Sequence, residues 1–135
     1  MLLIFLGSGA TLSSQQTSRI LGPLIHWLFP GMRDQAENEL VALVRKSAHV
    51  TEYGVLALLI WRARRQPVKH EACPWVWRDA GFAFALAAAY AATDELHQAL
   101  VPSRQGSVWD VLLDSGGAAA ALLLWWAVGR WRGTW

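Results

Sequence analysis

Residues 79–101 read DAGFAFALAAAYAATDELHQALV. After Asp79 the run carries no charge until its last third, which holds Asp94, Glu95, His97 and Gln98. About 20 apolar residues cross ~30 Å of hydrocarbon as a helix, and this stretch is long enough. Pro102 ends it, because proline removes a backbone donor and clashes with the preceding turn. Charged side chains cost about 2.5–3.5 kcal/mol each near the centre of a membrane helix, so acids retained there usually serve a purpose. Composition supports the membrane reading. The 135 residues are 54% hydrophobic and 16% charged, against about a quarter charged in soluble proteins, and nine are Trp. The length allows one domain, residues 1–135.

Upstream, Asp34 with Glu37 resembles a capping box, with Asp in place of Ser/Thr. A helix is expected from there to about Trp61, its apolar part spanning about 43–61. Downstream, Pro102, Arg104 and Gly106 make a tight turn, and another span follows over about 107–128. Residues 1–6, MLLIFL, are too short to cross and read as the tail of a truncated first helix. Residues 7–33 read as an interfacial or re-entrant segment. The expected fold is all-α: a small polytopic transmembrane helix bundle with three full spans and that partial first helix.

Basic residues set the orientation, since Lys and Arg concentrate on the cytoplasmic side. The 62–78 stretch holds Arg62, Arg64, Arg65, Lys69 and Arg78, and the tail holds Arg130 and Arg132. Both are expected in the cytoplasm, with residues 7–46 and 102–106 outside. Trp61, Trp75, Trp77, Trp125, Trp126 and Trp131 should gather at the cytoplasmic interface, and Trp27 and Trp109 at the other. Gly116, Gly117 and the alanines 118–121 give the last helix a small-residue face for close packing or dimerisation. The single Cys73 permits no internal disulfide. A net charge of +2 is too small to indicate nucleic acid.

Five of the ten acidic residues, Glu52, Asp94, Glu95, Asp110 and Asp114, fall in the apolar segments. All lie toward the outer ends of their helices. At about 1.5 Å per residue, Asp94 is roughly 10 Å below the outer end of its helix. Lys46, His49 and Tyr53 share one helical stripe. Asp94, His97 and Gln98 share another, and Asp110 and Asp114 a third. Convergence would make one outward-opening polar pocket of Lys46, His49, Glu52, Tyr53, Asp94, Glu95, Gln98, Arg104, Asp110 and Asp114. Glu95 is its weakest member, on a different side of the helix from Asp94. The same residues could instead form a salt-bridge network that only fixes packing.

The spaced set Lys46-x-x-His49-x-x-x-Tyr53, Asp94-Glu95-x-x-Gln98, Pro102-x-Arg104 and Asp110-x-x-x-Asp114-x-x-Gly117 resembles the VanZ-like family of bacterial membrane proteins. Phe5-Leu6 followed by Ser13-Ser14-Gln15 resembles the end of that family's first helix. The resemblance implies a four-helix pattern, the bacterial inner membrane, and a setting in glycopeptide (teicoplanin) resistance, with no defined reaction. Lys46, His49, Asp94, Glu95, Gln98, Arg104, Asp110 and Asp114 are its characteristic positions.

Three activities fit the residues. The pocket could bind or modify an extracytoplasmic lipid headgroup or amphiphile, such as a lipid-linked envelope precursor or a lipoglycopeptide, with Lys46 and Arg104 holding a phosphate. It could be a membrane-embedded hydrolase or transferase, with His49 as general base beside Asp94 or Asp110. It could be a small proton-coupled transporter, although the inner helix halves carry no charge to relay protons. His49-x-x-Glu52 and Asp94-x-x-His97 place metal-ligand types on helix faces without matching a closed metal signature, so neither metal nor cofactor is assigned.

Overall fold

The structure, a computed structural model, describes residues 23, 25–28, 31, 33–66, 74–100 and 107–135. Within these, three long helices follow a short helical stretch at residues 25–28. They are α1 (Asp34–Arg65), α2 (Trp77–Ala99) and α3 (Val108–Trp131). The expected partial helix at residues 1–6 and most of 7–33 lie outside the described residues, as do Lys69, Cys73, Pro102 and Arg104.

α1 is rich in Leu, Ala, Val, Glu and Arg and contains no proline, which suits 32 helical residues. Its start corrects the capping-box expectation. The N-cap is Arg33, in extended backbone and without a side-chain cap. Asp34 therefore lies inside the first turn, where it and Glu37 favour the positive helix end. The Glu37 carboxylate also lies 3.6 Å from His26 Nδ1. At its other end α1 continues past Trp61 for another turn of Arg62, Arg64 and Arg65, whose charge suits a helix C-terminus. Gln66 stops it in a left-handed conformation at φ 41°.

α2 begins two residues before Asp79 and ends at Ala99, and α3 runs three residues past Val128. The end of α3 is closed by Gly133 at φ 67°. There the Thr134 N–H donates to the Gly129 carbonyl at 2.9 Å and the Gly133 N–H to Arg130 at 3.3 Å, a Schellman motif. Trp135 folds back, its indole N–H donating to the Trp126 carbonyl at 2.9 Å.

The core is narrow. Tyr53, Leu56, Ala57 and Trp61 of α1 meet Ala80, Ala83, Ala87 and Ala91 of α2 and Ala118 and Leu122 of α3. The alanines of α2 fall on one helical stripe and let the helices approach closely. The α1–α3 contact is closer still. A Cβ on Gly117 would sit 2.5 Å from the Val50 carbonyl oxygen, and one on Gly54 3.1 Å from Ala121 Cβ.

At the end formed by the α1 C-terminus and the α2 N-terminus, five indoles assemble. Trp61 stacks on Trp75 at 5.1 Å, Trp135 meets both, and Trp77 contacts Trp75 and Trp126. Trp125 and Trp131 lie in the last turns of α3 at this same end, exposed and outside the stack. Asp79 joins the two helix ends, accepting from Arg64 at 2.8 Å and Arg65 at 3.3 Å.

Large apolar side chains are exposed along all three helices, among them Leu59, Leu86, Leu112 and Leu124. By length and composition, α3 is the one helix among the described residues suited to cross a membrane. This narrows the expectation of three full spans. α1 carries Arg45, Lys46 and Glu52 through its middle, and α2 combines Asp79, Asp94 and Glu95 with many weakly hydrophobic alanines.

Candidate functional site

The three helices bring their acidic segments to the end of the bundle opposite the Trp cluster. Lys46 of α1 and Asp110 of α3 form an ion pair at 3.1 Å. Glu95 of α2 accepts the Ser107 backbone N–H at 2.8 Å, immediately before α3. The Gln98 amide donates to Asp94 at 3.1 Å, one turn apart on α2. His49 Nδ1 lies 3.8 Å from the Glu52 carboxylate on α1. The charges of Asp94, Asp114, Glu52 and Glu95 all act on Tyr53. Those of Glu95, Asp110, Asp94 and Glu52 act on Asp114.

Burial deepens along each stripe. On α1, Lys46 is exposed, His49 half-buried and Tyr53 buried. On α3, Asp110 is half-buried and Asp114 only 5% exposed. On α2, Gln98 and Asp94 are half-buried and Ala91 is buried. Tyr53 and Asp114 form the floor of the cluster, and the apolar core with Ala91 and Ala118 follows.

At that depth two polar groups stand alone. The Tyr53 hydroxyl is buried with no hydrogen-bond partner, its residue 1% exposed. Among the described residues Asp114 has no hydrogen bond or ion pair either.

Of the ten expected pocket residues, nine are described, and Arg104 lies outside the described residues. Lys46 is engaged with Asp110, which weakens its assignment as a free phosphate ligand. The acid contact of His49 is with Glu52 at 3.8 Å, and among the described residues none is formed with Asp94 or Asp110. Glu95, expected to be the weakest member, is instead the residue that ties α2 to the start of α3. The signal in the sequence is a carboxylate one turn before the end of α2, the helix that precedes α3. No three His, Cys, Asp or Glu side chains among the described residues are placed to hold one metal ion.

A second feature was not legible in the sequence. An open apolar groove of about 570 Å³ is lined by Val50, Trp109, Leu112, Leu113, Gly116, Gly117 and Ala120. Val50 follows His49, Trp109 precedes Asp110, and Gly116 is two residues past Asp114, so groove and cluster lie at the same level of α1 and α3, on different helix faces.

No curated protein and no solved structure matches the chain. The VanZ/LLP1 family model matches residues 1–129, which takes in every described residue of the cluster and the groove. The chain belongs to the VanZ/LLP1 family.

Proposed function

We propose that this is an integral protein of the bacterial inner membrane that binds an extracytoplasmic amphiphile. The polar cluster takes the headgroup and the adjoining groove takes part of the tail. The observation that carries this reading is their common level: a charged recess and an apolar groove occupy the same turns of α1 and α3. An amphiphile needs that pairing of surfaces, and ligand sites typically combine an apolar lining with a few placed polar groups.

All three helices cross the bilayer in this reading. α2 and α3, with 23 and 24 residues, reach ~35 Å, enough for the hydrocarbon layer. Their exposed Leu, Val and Phe side chains face lipid. The acids sit near headgroup depth, where their cost falls well below that at the bilayer centre. The family resemblance points to the envelope and to teicoplanin susceptibility as the setting. Binding is favoured over hydrolysis because the partner of His49 is an acid of its own helix, not one placed across a reaction site.

Photocrosslinking tests this directly. Crosslinking side chains at Gln98 and Leu112 should capture lipid or lipopeptide from membranes, the first at its head and the second at its tail. Gly116→Leu should reduce capture at position 112, since a side chain there enters the groove without meeting other atoms of the protein. Failure of both positions to capture any amphiphile would overturn the reading.

A further inference from the structure

We propose that the floor of the cluster, at Tyr53 and Asp114, is a receptor for a primary ammonium group. The inference rests on the headgroup reading above and names the class of headgroup. It starts from which acids already have partners. Asp110 has Lys46, Glu95 has the Ser107 N–H and Asp94 has the Gln98 amide, while Glu52 is half exposed to solvent, 3.8 Å from His49. Asp114 has no such partner among the described residues, although it is 5% exposed. A buried carboxylate without a counter-charge is expensive. The Tyr53 hydroxyl, on a residue 1% exposed, also lacks a hydrogen bond. An unmade bond at a buried hydroxyl has its own cost.

These two groups are on α1 and α3, which approach closely beside them at Gly54 and Gly117, and the charges of Asp94, Glu95 and Glu52 act on both. Among the described residues, what they lack together is a positively charged donor. A phosphate would meet an excess of negative charge. A quaternary ammonium has no N–H to give and is normally held by an aromatic cage. No metal-binding trio is formed among the described residues. A primary ammonium carries one positive charge and three N–H donors. Its donors are enough for both the Asp114 carboxylate, through a charge-assisted bond, and the Tyr53 oxygen. Its source is either an aminolipid headgroup or a soluble amine.

The full chain, purified in detergent and exposed to tail-matched phosphatidylethanolamine, phosphatidylglycerol and phosphatidylcholine, should retain phosphatidylethanolamine preferentially in native mass spectrometry. Asp114→Asn should lower that retention on the order of tenfold, as expected for loss of a charge-assisted bond. Tyr53→Phe removes one oxygen and keeps the ring. It should weaken retention several-fold while leaving helicity and melting temperature unchanged, which separates a binding role from a packing one. This second variant decides the matter if Asp114→Asn does not fold. Displacement of the lipid by millimolar ethanolamine would assign the site to free amines. Resistance to it would assign the site to the lipid, and the ammonium chemistry stands in either case. Equal or better retention of phosphatidylglycerol overturns the ammonium proposal and leaves the headgroup reading intact. Unchanged retention in Tyr53→Phe does the same. Retention of no lipid at all removes both.

Discussion

Two adjacent glycines in α3 have opposite surroundings. A Cβ at Gly116 would meet nothing within 4 Å, whereas one at Gly117 would sit 2.5 Å from the Val50 carbonyl oxygen and 2.7 Å from Val50 Cγ1. Rotation of the Val50 side chain relieves the second contact and not the first, because the carbonyl is backbone. Gly117→Ala should therefore force α1 and α3 apart and cost about 1–3 kcal/mol, the usual range for overpacking. Gly116→Ala should be neutral or slightly stabilising, since Ala is the better helix former. Gly54→Ala, at 3.1 Å from Ala121 Cβ, should fall between them. Thermal unfolding in detergent followed by circular dichroism orders the three, and equal melting points would show that this contact does not set the helix spacing. The sequence marks both α3 glycines as small and cannot say which one faces a neighbour, because that depends on the rotation of α3 about its axis. Pocket membership has the same character. Helical spacing groups Lys46 with Tyr53 and Asp110 with Asp114, but only the packed structure shows that Lys46 is engaged and Asp114 is not.

The start of α3 depends on another helix. Ser107 supplies no side-chain cap, and its own N–H is held by Glu95 across the turn. In a capping box the N-cap N–H is bonded by an acid of the same helix; here the acid comes from α2, so that bond also fixes the angle between two elements. The negative charge further favours the positive end of α3. Glu95→Ala should speed amide exchange at Ser107 and through the first turn to Val111, at a cost of about 0.5–2 kcal/mol, comparable to loss of a cap. Glu95→Gln, which keeps an acceptor and loses the charge, should be intermediate. Exchange indifferent to both would mean that α3 begins independently of α2. The helices themselves were legible from apolar length and proline positions. Their ends were not, for a physical reason at each. The α1 start moved to Arg33 because Asp34 serves the helix dipole from within, and its end moved to Arg65 because three arginines suit a C-terminus. The α3 end moved because Gly133 reaches a left-handed conformation that closes a Schellman motif.

For the whole molecule the asymmetry of its two ends matters most. One end gathers the acids of the cluster. The other gathers Arg64, Arg65 and Arg130 with the stacked indoles of Trp61, Trp75, Trp77, Trp126 and Trp135. A bilayer reads this asymmetry through the basic residues, which are retained in the cytoplasm, while acids contribute little to orientation. The Arg/Trp end should therefore face the cytoplasm and the acidic cluster the outside. The single Cys73, in the basic stretch, provides a natural reporter. A membrane-impermeant maleimide should leave Cys73 unlabelled in intact cells and label it in inside-out vesicles. Conversely, Ser47→Cys in a Cys73→Ser background, at an exposed position beside Lys46, should be labelled in intact cells. Labelling of Cys73 from outside would invert the topology, bring the cluster into the cytoplasm, and leave an extracytoplasmic amphiphile no access to it. The orientation thus links the two halves of the functional reading. In that orientation the basic residues at one end set which leaflet would supply the proposed ligand to the other.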